Sequence, residues 1–361
     1  MKDFEFKFDL QRFADTVIPQ ELILKSWAKQ AWEAGIHDSF FSKFMGNNSR
    51  SIIQRKEDLR KGPGTSINIP LLLPLSGAGV WDDNILEGNE EALEYASFDT
   101  YLHYIRHGVR LNGLYEEQKT QINMRKDAKD ALAEWLATFI DTNIFAVLTG
   151  VLPPFVAPGT TTANYQFPVS APSSDRVIYG GSATSEAAIT AADTFSADLI
   201  GKAKRLATAD ENTAIRPINV DGHSTYVMVI DPYQARDLRN DQKWLEAQKH
   251  ANVRGEKNPI FSGAMGMYDG VVIHEHNRVP RTATGASSAK VGHALFLGAQ
   301  AVVFAEGTAP RWVEKKFDYE NKWGVSTGRM FGLQKAQFKF DGTNYTDFGV
   351  VNVLTSSADD A

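Results

Sequence analysis

The stretch Glu116-Glu117-Gln118-Lys119-Thr120-Gln121-Ile122-Asn123-Met124-Arg125-Lys126-Asp127-Ala128-Lys129-Asp130-Ala131-Leu132-Ala133-Glu134-Trp135-Leu136-Ala137-Thr138-Phe139-Ile140-Asp141-Thr142-Asn143-Ile144-Phe145-Ala146-Val147-Leu148-Thr149 decides the fold. Nothing between Gly113 and Gly150 is Gly or Pro. One helix of that length spans roughly 50 Å at about 1.5 Å per residue, whereas globular helices usually stop after three or four turns. The first half is charge and amide. The second half carries Leu132, Trp135, Leu136, Phe139, Ile140, Ile144, Phe145, Val147 and Leu148 at the spacing of an apolar face that widens towards its end. One end is therefore buried and the other lies along a surface, as a beam for assembly rather than the wall of a pocket.

Just before the helix, Gly62-Pro63-Gly64 and Gly113 bracket a ribbon. Thr65 to Leu73 and Phe98 to Leu111 read as strands. The tip between them is acidic, with Asp82, Asp83, Glu87, Glu90, Glu91 and Glu94 around Trp81. Two strands joined by so long a tip form an extended arm that no local core could bury. Upstream, Pro19 to about Phe44 reads helical, and Arg50, Arg55, Lys56, Arg60 and Lys61 form a basic stretch. At the start, Phe4, Phe6, Phe8 and Leu10 alternate with charge. That is a strand pattern without a local partner, which would pair elsewhere, as on another copy of the chain; a disordered terminus is the other reading.

The 361 residues allow two or three domains, and 43% apolar with 23% charged content is that of a soluble globular protein. A net charge of −6 argues against a surface built to grip nucleic acid, though not against enclosing it. With no cysteine, thiolate metal sites and Cys nucleophiles are excluded, and folding in a reducing cytoplasm is expected. The richest apolar run, Ile67 to Leu75, is broken by Asn68, Pro70 and Pro74, so no membrane span is expected. The charged, Phe-containing first ten residues are not a secretory signal.

After the helix, Val151 to about Thr190 reads as loop, and Thr194 to Ala207 as helix with Asp193 or Thr194 as N-cap. Thr225 to Ile230 reads as a buried strand, and Asp231-Pro232 opens a helix running to about Lys249. Val271 to Ile273, a long β region from Phe317 to Phe340, and Phe348 to Leu354 complete a mixed α/β pattern. His274 and His276 share one face of a strand and could meet one ion, but no further ligands cluster with them. A solvated strand face is the better reading. His103 and His107 lie on strand text, where a gap of four is about 13 Å and too far for one metal. Gly263-Ala264-Met265-Gly266 reads as a tight turn. No phosphate-binding loop or nucleophile elbow is present, and adjacent carboxylates on strands face opposite ways. No catalytic constellation, cofactor site or metal site is expected.

Several texts, in this order, resemble the major capsid proteins of tailed bacteriophages, in the branch of podophages that carry a giant virion RNA polymerase. They are Gly79-Val80-Trp81-Asp82-Asp83-Asn84-Ile85-Leu86-Glu87-Gly88-Asn89-Glu90-Glu91; Ala128 to Trp135; Tyr226 to Pro232; Ile260 to Val271; Leu295 to Ala301; and Gly332 to Phe338. The resemblance runs from about Leu59 to Thr355. It implies an α+β tailed-phage major capsid (Johnson) fold. Residues 1–58 would be an N-terminal arm, 59–115 an extension loop, and 116–197 a peripheral domain with spine helix 116–149. Residues 198–310 would be mostly the axial domain, and 311–361 the return strands of the peripheral domain and the C-terminal strand.

The implied function is structural and not enzymatic: a subunit that self-assembles into hexamers and pentamers around packaged double-stranded DNA, without sequence-specific binding. The implied partners are other copies, a portal protein, and scaffold or decoration proteins, with assembly in the host bacterial cytoplasm. The candidate inter-subunit contacts are Phe4, Phe6 and Phe8; Arg50, Arg55, Lys56 and Arg60; and Trp81, Asp82, Asp83, Glu87, Glu90, Glu91 and Glu94. The acidic tip reads from its residues alone as a solvated loop; the resemblance implies instead that it docks on the basic stretch of a neighbour. An encapsulin-like nanocompartment shell is the nearest alternative. A metal-dependent hydrolase using His274 and His276 is the alternative of another class.

Overall fold

The computed structural model describes residues 39–60, 63–72, 75, 79–113, 115, 119, 124–209, 213–220, 223–250, 264–340 and 344–360. Its organising element is helix α1 (Met124–Thr149), and Tyr115 and Lys119 upstream are also helical. The two halves differ as their composition requires. Lys126, Asp127 and Asp130 are exposed, whereas Leu136, Ile140, Ile144, Phe145, Val147 and Leu148 are buried. Gly150 ends the helix at φ 79°, its N–H bonded to the Ala146 carbonyl at 2.9 Å. A Cβ there would meet the Ser170 carbonyl oxygen at 2.8 Å, so glycine is needed for space as well as for φ.

Two sheets sandwich the buried half of α1. A six-stranded sheet comprises β1 (Met45–Gly46), β2 (Ile53–Lys56), β13 (Val302–Glu306), β15 (Lys322–Lys335) and β14 (Arg311–Phe317) in that order, with β5 (His103–Arg110) also paired to β15. An eight-stranded sheet runs β6 (Val177–Tyr179), β18 (Val350–Ser356), β12 (Val291–Leu297), β8 (His223–Ile230), β10 (Val271–Glu275) and β9 (Ala264–Tyr268). Within it β11 (Arg281–Thr282) pairs with β12, and β7 (Ile218–Val220) with β8. One core joins α1 to both: Phe304, Phe331 and Leu333 come from the first sheet, and Val227, Val229, Leu295 and Leu297 from the second. The far face of the eight-stranded sheet is covered by α2 (Ala197–Thr208), α3 (Pro232–Asn240) and α4 (Gln242–His250). β8, β12 and β18 are thus covered on both faces, which is why they read as near-continuous apolar runs.

Local chemistry sets several boundaries. Asp231 accepts from the Tyr233 N–H at 3.1 Å and Gln234 reaches back to the Asp231 N–H, a capping box with Pro at the first turn. The helix expected to run on to Lys249 breaks at Asp241, where the backbone turns extended (φ −69°, ψ 125°). The helix expected from Thr194 starts at Ala197, after Ser196. The expected turn at Gly263-Ala264-Met265-Gly266 is a correction: Ala264 to Tyr268 is strand β9, and the Trp244 ring packs closely on Gly266, 3.3 Å from where its Cβ would be. The turn is instead Asp269-Gly270, at φ 48° and 75°, the left-handed pair that a tight hairpin prefers.

Lys126–Thr149 is long and apolar enough on average to cross a membrane, but most of that apolar surface is buried between the two sheets, as in a core helix.

Candidate assembly surfaces

The arm is a two-stranded ribbon, β3 (Ser66–Leu72) against β4 (Tyr95–Tyr101), in register from Ser66 opposite Tyr101 to Leu72 opposite Tyr95. Alternation gives it two faces: Ile67, Ile69, Ala96 and Phe98 are buried while Ser66, Asn68, Tyr95 and Tyr101 are exposed. The buried face packs on Val303, Ala305, Ala336, Phe338 and Phe348. This corrects the expectation that no core of its own chain could cover the arm. Its root is cored, and only its tip projects. The second predicted strand, Phe98 to Leu111, is also two strands: β4 stays in the arm, and β5 joins the six-stranded sheet beside β15.

Residues 79–94 form the tip and lack regular structure. Polar groups fold it on itself: Asn84 Nδ2 donates to the Trp81 carbonyl at 2.8 Å, and the Gly88 N–H donates to Glu90 at 2.7 Å. The apolar side chains are left outward. Trp81 and Ile85 are each 73% exposed, and Leu86 and Leu93 are exposed beside them. Asp82, Asp83, Glu87, Glu90, Glu91 and Glu94 share this surface. So many large apolar side chains in water on one short segment mark a surface that another molecule covers.

The basic stretch divides. Glu306, fully buried, receives Arg329 at 2.7 Å, Arg60 at 3.2 Å and Arg55 in close contact. Glu57 adds a second carboxylate, 2.7 Å from Arg60. Arg55 and Arg60 are therefore spent inside their own chain, locking β2 and the following 3-10 turn Asp58–Arg60 onto β13 and β15. Arg50 is exposed and Lys56 half-buried. Burial pushes the Arg329 guanidinium down to about 10, still charged at neutral pH. Phe4, Phe6 and Phe8 lie outside the described residues.

A second lock holds the 3-10 turn Phe40–Phe44. Asp141 of α1, buried, accepts from Ser39 Oγ at 2.5 Å, the Phe40 N–H at 2.8 Å and the Phe41 N–H at 3.3 Å, with Arg278 at 3.1 Å. Sequence reading missed Asp141, Glu306 and Arg329. The signal was a charge within an otherwise apolar element, but its partners are far away in the chain. His274 and His276 do share a face, as strand period requires. That face is not solvated: His274 is fully buried against Phe40 and Phe44, and His276 lies 4.4 Å from the Phe40 ring centre. Among the described residues no three His, Asp or Glu groups meet as a metal site would require.

A cored α+β body bearing an arm with an uncovered apolar and acidic tip is built to be completed by other molecules. The chain belongs to the phage capsid protein family, which it matches over residues 17–359. It is 35% identical to the major capsid protein of Pseudomonas phage KPP25, across 92% of this chain and 94% of that protein. The capsid of Ralstonia phage GP4 superposes with a TM-score of 0.78 at 32% identity, covering 90% of this chain and 92% of that one. The capsid asymmetric unit of cyanophage Pam1 does so at 0.72 and 25% identity over the whole of both chains. The fold is that of the tailed-phage capsid proteins, and the chain is a bacteriophage major capsid protein, a structural subunit and not an enzyme.

Proposed function

We propose that copies of this chain tile hexamers and pentamers into a closed icosahedral shell around packaged double-stranded DNA, each arm tip seated on a neighbouring subunit. The uncovered tip carries this reading: the arm's root already has its core, so folding of the single chain leaves Trp81, Ile85, Leu86 and Leu93 without a purpose. Affinity is spread over many repeated, individually modest contacts, as closed symmetric assembly requires. The net charge of −6 keeps entering DNA from adhering. Phe4, Phe6 and Phe8 would add a strand to another copy.

The six-stranded sheet with α1 forms the peripheral domain in this reading, and the eight-stranded sheet, which includes β6 and β18, the axial domain. A portal protein at one vertex and scaffold or decoration proteins are its further partners, and assembly takes place in the bacterial cytoplasm. The narrower placement among podophages carrying a giant virion RNA polymerase rests on the quoted text from Gly79 to Glu91 and its companions.

Replacing residues 79–93 by a short Gly/Ser turn keeps the register of Leu72 with Tyr95. The expected outcome is an unchanged cooperative melt by circular dichroism and no closed shells by electron microscopy. Intact shells from this variant would show that the tip joins nothing.

A further inference from the structure

β5, β15 and β14 lie side by side, with β15 in the middle. One face of this sheet packs Val109, Val325 and Trp312 on Ala128 and Leu132 of α1. The opposite face is open, and register writes its composition. Arg106 and Arg311 flank Gly328; Gly108 and Val313 flank Ser326; Arg110 and Lys315 flank Gly324. Two rails of cations therefore stand about 10 Å apart across Gly328, Ser326 and Gly324 of β15, each rail about 13 Å long. All four cations are exposed, and among the described residues none is in an ion pair. The nearby turn carboxylates are taken: Glu320 pairs with Lys316 and Asp318 with Lys322.

The glycines have a second purpose. The Tyr104 hydroxyl and the Phe317 ring edge come within 2.8 and 2.7 Å of where Cβ atoms of Gly328 and Gly324 would be, so both aromatic side chains lie across the floor. The Arg106 guanidinium stands 5.4 Å from the Tyr104 ring centre, and that of Arg110 4.5 Å from the Phe317 ring centre. Stacking orders the guanidiniums while leaving their N–H edges outward for carboxylates. Val313 and Tyr104, 40% and 47% exposed, add apolar area between the rails.

We infer that this trough is the seat of a neighbouring subunit's arm tip. The inference rests on the shell reading above and names the surface that reading leaves open. The tip is the complement in kind: Asp82, Asp83, Glu87 and Glu94 make no ion pair among the described residues and alternate with uncovered Trp81, Ile85, Leu86 and Leu93. Nucleic acid would satisfy the cations but has nothing apolar on its phosphate backbone to cover Val313 and Tyr104. The basic stretch expected from sequence to receive the tip offers less, because Arg55 and Arg60 are spent on Glu306.

Charge exchange tests this. Arg106→Glu with Arg311→Glu should lower the yield of closed shells at least about tenfold, because like charges then face each other across the contact. Asp82→Arg with Glu87→Arg should do the same, and a chain carrying all four substitutions should recover most of the loss. The chain has no cysteine, so Ile85→Cys with Val313→Cys gives a clean second readout even where a charge variant misfolds. Oxidised shells of that variant should run as a ladder of covalently linked chains. Undiminished shells from the trough variant, closed shells that only lose their DNA, or a missing ladder each overturn the inference. The unsubstituted chain run alongside reports separately on whether shells form at all.

Discussion

His276 shows how much one packed ring can reveal. Burial pushes its pKa down from 6.5 to about 4, with Arg278 and Lys43 adding repulsion to the protonated form. Below pH 6.5 the unfolded chain takes up a proton that the folded chain refuses. The stabilisation from keeping this ring neutral is thus complete above pH 6.5 and is lost as pH falls towards 4, by at most about 1.4 kcal/mol per pH unit. Glu186 adds to this only at the foot of the window: its hydrogen bond with His293 holds it down to about 2, so its share begins to be lost only below pH 4.5. His276→Phe keeps an aromatic ring beside Phe40 and Phe145 and removes the titration. Between pH 6.5 and 4 its stability should fall less steeply than that of the unsubstituted chain, as read from denaturant midpoints at each pH. Parallel curves would contradict the assignment. The alternation around His274-Glu275-His276 disclosed the shared face but not its burial, because Phe40 and Phe44 arrive from more than two hundred residues upstream.

At the scale of elements, the buried carboxylate of Glu306 ties β2, β13 and β15 together through Arg55, Arg60 and Arg329. Glu306→Gln leaves guanidiniums facing one another, one of them in the core, and should cost about 3–5 kcal/mol. Removing both members of the buried pair, Glu306→Leu with Arg329→Met, should recover much of that loss. Chemical denaturation of the two variants checks this, and equal stabilities would mean that Glu306 is not the anchor of the N-terminal strand. The long helix and the arm's ribbon were legible in the sequence because both are local patterns: a Gly- and Pro-free run with a widening apolar face, and alternating strands between glycines. The cored root of the arm was not legible. Its cover comes from Val303, Ala336, Phe338 and Phe348, over two hundred residues downstream. The trough was hidden for a similar reason. Its cations lie on β5 and β14, and only pairing with the small residues of β15 sets them across one floor.

For the whole molecule, the six- and eight-stranded sheets around α1 form a body with a core of its own, and that body leaves the described residues of the arm tip uncovered. A subunit of this kind has a core of its own and leaves apolar surface at its arm tip uncovered. The alternation of Phe4, Phe6 and Phe8 points the same way from outside the described residues. The most direct measurement is electron microscopy of the expressed, purified full-length chain across a concentration series, with light scattering on the same samples. Capsomers and closed shells are expected, appearing more abundantly as concentration rises. A monodisperse 39.9 kDa species at every concentration, not driven to assemble by any co-expressed head protein, would contradict the claim that this chain builds a shell.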